Sequence, residues 1–293
     1  MPKDKRLRTR KNRVVLNRSA GGDWSITLML AVLGVLMFIP MWFTLINSVK
    51  PLDELFIFPP RLYVINPTMQ NFADLFNLLG TSWVPFSRYF FNTIFLTVTG
   101  IAGQLFFGSM AAYVFAKVAL PGKKLMFWFV FKSLMFNAVA TSLIVFIMIS
   151  YVGLIDNLFA IIIQAWGATL GVFLMRNFMV DNVSDAVIEA ARIDGAGELR
   201  TFTQIVIPMA KPALYTAILF SFQSLWSSGA SILIYSEQLK TLNYAIGQIM
   251  AVGVLRQGAA AAATVFMLVV PVIVFVVSQS RVIETMSSSG VKE

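Results

Sequence analysis

Long apolar runs separated by short polar stretches set the pattern of this chain. Six runs approach or exceed the ~20 apolar residues that a helix needs to cross a bilayer core at 1.5 Å per residue. They extend roughly from Trp24 to Ile46, Phe90 to Phe115, Met126 to Ser150, Leu158 to Met175, Ala213 to Tyr235 and Ala259 to Ser280, the fourth being the shortest. The pattern predicts an all-α membrane protein with six transmembrane helices. The first run is too long for a signal-peptide core and no small-x-small cleavage pattern follows it, so it is read as an uncleaved span. Between the first two runs, Pro51, Pro59, Pro60, Pro67 and Pro85 surround Asn71-Phe72-Ala73-Asp74. That segment predicts a long irregular loop with one short helix.

Composition sharpens this picture. With 58% hydrophobic and 13% charged residues, the chain lies far from the composition of soluble domains, which carry about a quarter charged residues. It contains no cysteine and no histidine, which excludes disulfides, thiolate or imidazole metal sites, Ser-His-Asp triads and histidine pH switches. The net charge is +9, yet eight of the 23 Lys and Arg residues precede residue 19. That placement is a juxtamembrane anchor rather than a nucleic-acid surface. With the N-terminus inside, the inside segments hold 17 cations and the outside segments five, Lys132 lying within a span. Both termini are therefore expected in the cytoplasm. Lys132 is expected to snorkel along its stem to the headgroups.

The loop between the fourth and fifth runs then faces the cytoplasm. Ser184 is placed to cap a helix that opens with Asp185. At 100° per residue, Asp185, Glu189 and Arg192 share one face and Val187, Ala190 and Ala191 the opposite side. Asp194-Gly195-Ala196-Gly197 reads as a turn with Gly195 in the left-handed conformation. A second helix from Glu198 aligns Leu199, Phe202, Ile205 and Val206, and Pro208 is expected to stop it. The segment 176–212 carries four cations against five acids, so this helix-turn-helix is a poor reader of DNA.

No Gly-x4-Gly-Lys-Ser/Thr phosphate loop is present, and no Asp or Glu lies in any of the six runs. A self-powered ATPase, a proton- or sodium-driven carrier and a membrane hydrolase are all disfavoured. The intramembrane polar residues are neutral. Ser133, Asn137 and Thr141 repeat at i, i+4 and i+8, while Thr216, Gln223, Ser224, Ser227 and Ser231 share a face of the fifth run. Gln104, Gln164 and Thr169 add further polar groups, and Trp128, Trp166 and Trp226 offer ring faces. Asn137, Thr141, Gln164, Gln223, Ser224, Trp226 and Ser227 are the candidate pathway contacts, a set suited to an uncharged, hydroxyl-rich solute such as a sugar. Hydrogen bonding between packed helices is the competing role for the same residues.

Glu189-Ala190-Ala191, Gly195 and Ile205-Val206-Ile207-Pro208 resemble the E-A-A-x3-G-x9-I-x-L-P signature of the membrane subunits of ATP-binding-cassette importers, with Ile207 where Leu is usual. Tyr151-Val152-Gly153-Leu154-Ile155-Asp156-Asn157, Phe173-Leu174-Met175-Arg176-Asn177-Phe178 and the ending Gly290-Val291-Lys292-Glu293 are similar to the carbohydrate branch, the maltose-type permeases. The resemblance implies a type I importer permease fold with a cytoplasmic coupling helix. It divides the chain into a basic tail (1–23), a six-helix permease domain (24–284, coupling loop 181–212) and a C-terminal tail (285–293). It implies that Glu189, Ala190, Ala191, Asp194, Gly195, Ala196 and Pro208 serve coupling to an ATPase, with Gly290, Val291 and Lys292 as a secondary ATPase contact. The implied partners are a second permease forming a heterodimer, two ATPase subunits that bind ATP and Mg, and an extracytoplasmic solute-binding protein delivering an oligosaccharide. This chain itself is expected to bind no cofactor, metal or nucleic acid, to catalyse no reaction, and to sit as a multi-pass protein in a prokaryotic cytoplasmic membrane. Three departures touch these inferences: Val183-Ser184-Asp185 lacks the usual proline, Ser227 follows Trp226 where Asn is frequent, and Asn137 lies in a span that is often Pro-rich. A permease for another solute and a self-contained secondary carrier are the alternatives.

Overall fold

A computed structural model describes residues 20–80, 84–229, 232–251, 253 and 256–289 of the chain. The described residues are helical or irregular, with no strand among them. Helix α1 (Ala20–Val49) leads through a short α2 (Leu52–Leu55) to α3 (Gln70–Gly80). Next, α4 (Phe86–Gly103) and α5 (Ser109–Lys117) form one long helix joined by a π-turn at Gln104–Gly108. The pairs α6 (Lys123–Ser133) and α7 (Ala138–Tyr151), and α8 (Phe159–Trp166) and α9 (Thr169–Asn182), follow. The loop holds α10 (Asp185–Ile193), α11 (Glu198–Thr201), a second π-turn (Phe202–Val206) and α12 (Ile207–Met209). Finally come α13 (Lys211–Trp226), a 3-10 turn (Glu237–Leu239), α14 (Leu242–Ala251) and α15 (Gln257–Ser289).

Among the described residues, four helical stretches are long and apolar enough to cross a membrane: Gly22–Val49, Phe86–Lys117, Phe159–Asn182 and Gln257–Gln279. A fifth is counted if Glu198–Met209 and Lys211–Trp226, bent by 78°, make one span. Two of the six expected runs therefore take a different form. The third is interrupted between α6 and α7, where Asn137 stands immediately before α7 and its carbonyl accepts the Thr141 N–H at 3.2 Å. Asn favours such helix starts because its short side chain competes with helical backbone bonding. Ser133, Asn137 and Thr141 consequently do not line one continuous helix. The helix of the fifth run ends at Trp226 instead of Tyr235, and Ser227-Ser228-Gly229 follows outside it.

Small residues let the helices approach closely. Alanines 259, 260, 262 and 263 of α15 are buried with Leu75, Tyr89, Leu242 and Ile246 in a cluster at one end of the bundle. A second cluster at the other end joins Tyr113, Met175, Met179, Ile188, Phe202, Val206 and Ala213. Between them, Leu96, Ile162 and Leu225 are buried where α4, α8 and α13 cross.

The irregular 51–69 segment is tied down by its own polar groups. The buried Lys50 ammonium donates to the Arg61 carbonyl at 2.5 Å. The Glu54 carboxylate accepts the N–H groups of Ile65 and Asn66 at 3.0 and 2.8 Å, which holds it below the usual carboxylate range. Two short helices, α2 and α3, stand in this loop where one was expected; Asn71, in the first turn of α3, donates to the carbonyls of Ser48 and Lys50 at 2.9 and 2.7 Å. The same end of the bundle carries the contacts of α4 with the 237–242 segment: Asn92 donates to Gln238 O at 2.7 Å, and Thr93 accepts the Leu242 N–H at 2.8 Å.

Candidate functional site: the 181–212 loop and two intramembrane cavities

The expected helix-turn-helix is present. Ser184 has the extended backbone of an N-cap, without a side-chain capping bond, and α10 starts at Asp185. At its far end Gly195 adopts φ +79°, the Gly195 N–H donates to Arg192 O at 3.0 Å and the Ala196 N–H to Ala191 O at 2.9 Å. This paired 5→2 and 6→1 bonding is a Schellman motif, whose left-handed residue favours glycine because it has no Cβ. Asp194 and Ala196 flank that turn, Asp194 exposed and Ala196 half-buried.

The faces of α10 differ from the helical-wheel expectation. Ile188 and Ala191 point into the bundle against Phe202 and Val206, whereas Val187, Ala190 and Glu189 are exposed. Ile193 and Leu199 are 87% and 70% exposed. The loop thus presents an apolar edge rimmed by Glu189 and supported from behind by Ile188. Pro208 does not stop the second helix, which runs to Met209 before Ala210 turns the chain. A π-turn directly precedes it, with the Ile207 N–H bonded to Phe202 O. Widening the helix there separates the proline ring from the carbonyl it would otherwise meet one turn earlier.

The second span, the α4–α5 helix Phe86–Lys117 (span two), holds this loop through α5. Lys117 Nζ donates to Asp185 Oδ1 at 2.7 Å, and the Tyr113 hydroxyl donates to Glu198 Oε2 at 2.6 Å. Arg192 Nε donates to Glu198 Oε1 at 2.9 Å. Glu198 is held below the usual carboxylate range, first by the Tyr113 hydrogen bond and then by the Arg192 charge. Asp185 is held low by the bond and charge of Lys117. Nothing in the loop motif itself foretold these partners, because Tyr113 and Lys117 are more than 60 residues away in sequence.

Five of the seven candidate pathway residues divide between two cavities. One, of about 330 Å³, is lined by Gln104, Gln164, Ser221, Ser224 and Ser228 together with apolar side chains. The Ser221 hydroxyl hydrogen-bonds the Gln104 side-chain oxygen, and Gly171 packs on the same amide. Ser221 and Gly171 escaped the sequence reading: a serine and a glycine in an apolar run carry no signal until another helix crosses them. The other cavity, about 770 Å³ and mostly apolar, lies between α13 and α15 and is lined by Thr216, Gln223, Trp226 and Ser227. Trp226 is 4% exposed, stacks on Phe222 at 5.6 Å and donates to Met267 O at 3.2 Å. Its indole is committed to packing in this conformation. The structure does not bring Asn137 and Thr141 to either cavity. Lys132 lies 5.6 Å from the Trp128 ring centroid. Gly290, Val291, Lys292 and Ser231 lie outside the described residues.

Residues 104–287 match the family described as "Binding-protein-dependent transport system inner membrane component". The chain is 28% identical over 201 residues to the diacetylchitobiose uptake system permease protein NgcG of Streptomyces coelicolor, covering 68% of this chain and 64% of that protein, just under two thirds of its length. It is 28% identical over 276 residues to the melibiose/raffinose/stachyose import permease protein MelC of Bacillus subtilis, covering 91% of this chain and 96% of MelC. Among solved structures, a bacterial ABC transporter involved in import of the acidic polysaccharide alginate superposes with a TM-score of 0.76 at 23% identity, covering 90% of this chain and 98% of the matched chain. That likeness is one of fold.

Proposed function

The chain belongs to the family of binding-protein-dependent transport system inner membrane components, and from that premise we propose that its 181–212 loop receives the work of ATP hydrolysis and its helices move a neutral oligosaccharide. As a member of that family it is a multi-pass membrane permease subunit of an ABC importer. The observation that carries the coupling role is the loop's architecture: two helices closed by a Schellman turn, an exposed edge of Val187, Ala190, Ile193 and Leu199, and Glu189 on its rim. An edge of this kind fits a partner's groove, and without a phosphate-binding motif of its own the chain relies on that partner for ATP and Mg.

We place α6 and α7 together as the third span and α13 as the fifth, which restores six spans with both termini cytoplasmic. The domain limits then stand at 1–23, 24–284 and 285–293, with Gly290, Val291 and Lys292 as a further ATPase contact. Support comes from the segregation of contacts. Segments assigned outside meet one another, as when Asp156 Oδ1 accepts the N–H groups of Tyr235 and Ser236 at 2.9 and 2.8 Å. Segments assigned inside do likewise at Lys117–Asp185 and Tyr113–Glu198.

A sister permease, two ATPase copies and an extracytoplasmic binding protein complete the proposed assembly. The sugar reading draws on the names of NgcG and MelC and on the neutral amides and hydroxyls of the cavity around Gln104, Gln164 and Ser224. Affinity purification of the wild-type chain should bring down an ATPase and a second permease. Glu189→Ala and Gly195→Val should insert normally but lose ATP-dependent uptake, and full uptake by both would remove the coupling assignment. Binding measurements on the co-purified binding protein identify the solute; a charged non-sugar ligand would reject the sugar reading.

A further inference from the structure

We infer that one turn of span two, through Tyr113 and Lys117, grips the first residue of both helices in the coupling loop, so that α5 and the loop move as a single body. The inference rests on the coupling role proposed above. Tyr113 and Lys117 stand at i and i+4, the spacing that puts two side chains on one helical face. Lys117 reaches Asp185, the first residue of α10, at 2.7 Å, and only 5% of its side chain is exposed. Tyr113 is 4% exposed, packs against Phe202 at 5.4 Å between ring centroids, and reaches Glu198, the first residue of α11, at 2.6 Å. Arg192 closes the ring by bridging the last turn of α10 to Glu198, NH2 to Oε1 at 2.8 Å.

This is a stiffer joint than a surface ion pair. The Tyr113 and Lys117 side chains are buried, although the Asp185 and Glu198 side chains they reach are 76% and 52% exposed, and charge-assisted hydrogen bonds are roughly twice as strong as neutral ones. Removing Glu198 leaves the buried Tyr113 hydroxyl without its acceptor, and removing Asp185 leaves Lys117 with only a long contact to the Val180 carbonyl at 3.5 Å. Each acid also sits in the first turn of its helix, where the helix dipole favours negative charge. Apolar packing of Ile188, Phe202 and Val206 allows sliding, whereas two directed bonds on one helical turn fix both rotation and translation.

At its other end span two is held by Asn92 and Thr93 to the 237–242 segment. The π-turn at Gln104–Gly108 separates the two gripped halves, and Gln104 lines the polar cavity. A displacement of the loop is therefore delivered to α5 and absorbed at the π-turn, beside the cavity. Tyr113 and Lys117 are positioning residues for energy coupling.

The test uses the complete transporter in proteoliposomes, measuring solute uptake and ATP hydrolysis together. Tyr113→Phe combined with Lys117→Met should retain ATPase capture and hydrolysis while solute moved per ATP falls at least about 5-fold, the lower end of typical coupling between sites. Lys117→Arg should preserve the wild-type ratio. The chain has no cysteine, so Lys117→Cys paired with Asp185→Cys can be bridged with a short bismaleimide. The unbridged pair should be uncoupled and the bridge should restore coupling, because the two parts do not move relative to each other. Transport blocked by the bridge, an unchanged ratio in the Tyr113/Lys117 variant, or loss of ATPase capture in that variant overturns the inference. Failure of the wild-type chain to capture an ATPase would instead remove the coupling role on which it stands.

Discussion

Gly103 ends α4 beneath the Trp166 indole, and the two cannot both be large. A Cβ at Gly103 would lie 2.0 Å from Trp166 Nε1 and 2.3 Å from Cδ1 and Cε2. Regaining ordinary contact requires the indole to retreat by about 1.4 Å, and it has little room. Its Nε1 donates to Thr99 O at 3.0 Å, and its ring packs against Phe107 at 5.3 Å between centroids. Overpacking of this kind costs about 1–3 kcal/mol, and breaking the Trp166 bond adds about 0.5–1.5 kcal/mol. Alanine's better helix propensity returns about 1 kcal/mol. The net expectation for Gly103→Ala is a loss of about 0.5–3.5 kcal/mol, centred on about 2 kcal/mol. Gly34 is the internal control, since nothing lies within 4 Å of a Cβ built there, and Gly34→Ala should be neutral or mildly stabilising. Thermal unfolding of the two purified variants, followed by intrinsic fluorescence in the same detergent, compares them directly. At about 2–4 °C per kcal/mol for a domain of this size, Gly103→Ala should melt several degrees below wild type. Equal melting of Gly103→Ala and Gly34→Ala would refute the claim that this helix crossing depends on the missing methyl group.

Gly171→Ala should behave differently, because the atom it meets, Gln104 Nε2 at 2.2 Å, is the end of a flexible side chain. Stability should fall by no more than about 1 kcal/mol, while displacement of Gln104 from Ser221 lowers the uptake rate measured in vesicles. Asn71→Ala removes two hydrogen bonds from a buried amide to the carbonyls of Ser48 and Lys50. A cost of about 1–3 kcal/mol should appear as faster limited proteolysis of the 51–80 segment. Asp156 is held below its ordinary value of 3.8 chiefly by the Ser236 hydroxyl and N–H, with the Tyr235 N–H adding to them. Its contribution is complete above the unfolded value and disappears as pH falls through the lower folded one. Amide exchange at Tyr235 and Ser236, corrected for its intrinsic pH dependence, should therefore be constant from about pH 7 to 5 and quicken only in stronger acid. Asp156→Asn should weaken this attachment at all pH values.

What was legible in the sequence was whatever depends on local chain chemistry or on one-dimensional order. Apolar length marked the long helices around α1, α4–α5, α8–α9 and α15, because an uninterrupted apolar run long enough to cross a bilayer needs no partner to declare itself. The start of α10 at Asp185 and the left-handed Gly195 were also readable, since caps and glycine turns act within a few residues. Tertiary packing decided the rest. Whether Ala190 or Ala191 faces the bundle depends on which side α5 and α13 occupy, and periodicity alone cannot say. The break at Asn137 and the passage of the second loop helix past Pro208 follow from backbone choices that alternatives of similar energy leave open. Above all, Tyr113, Lys117, Gly171 and Ser221 are unremarkable in their own segments. They acquire roles only where another helix brings Glu198, Asp185 or Gln104 within hydrogen-bonding distance, and no local pattern encodes that juxtaposition.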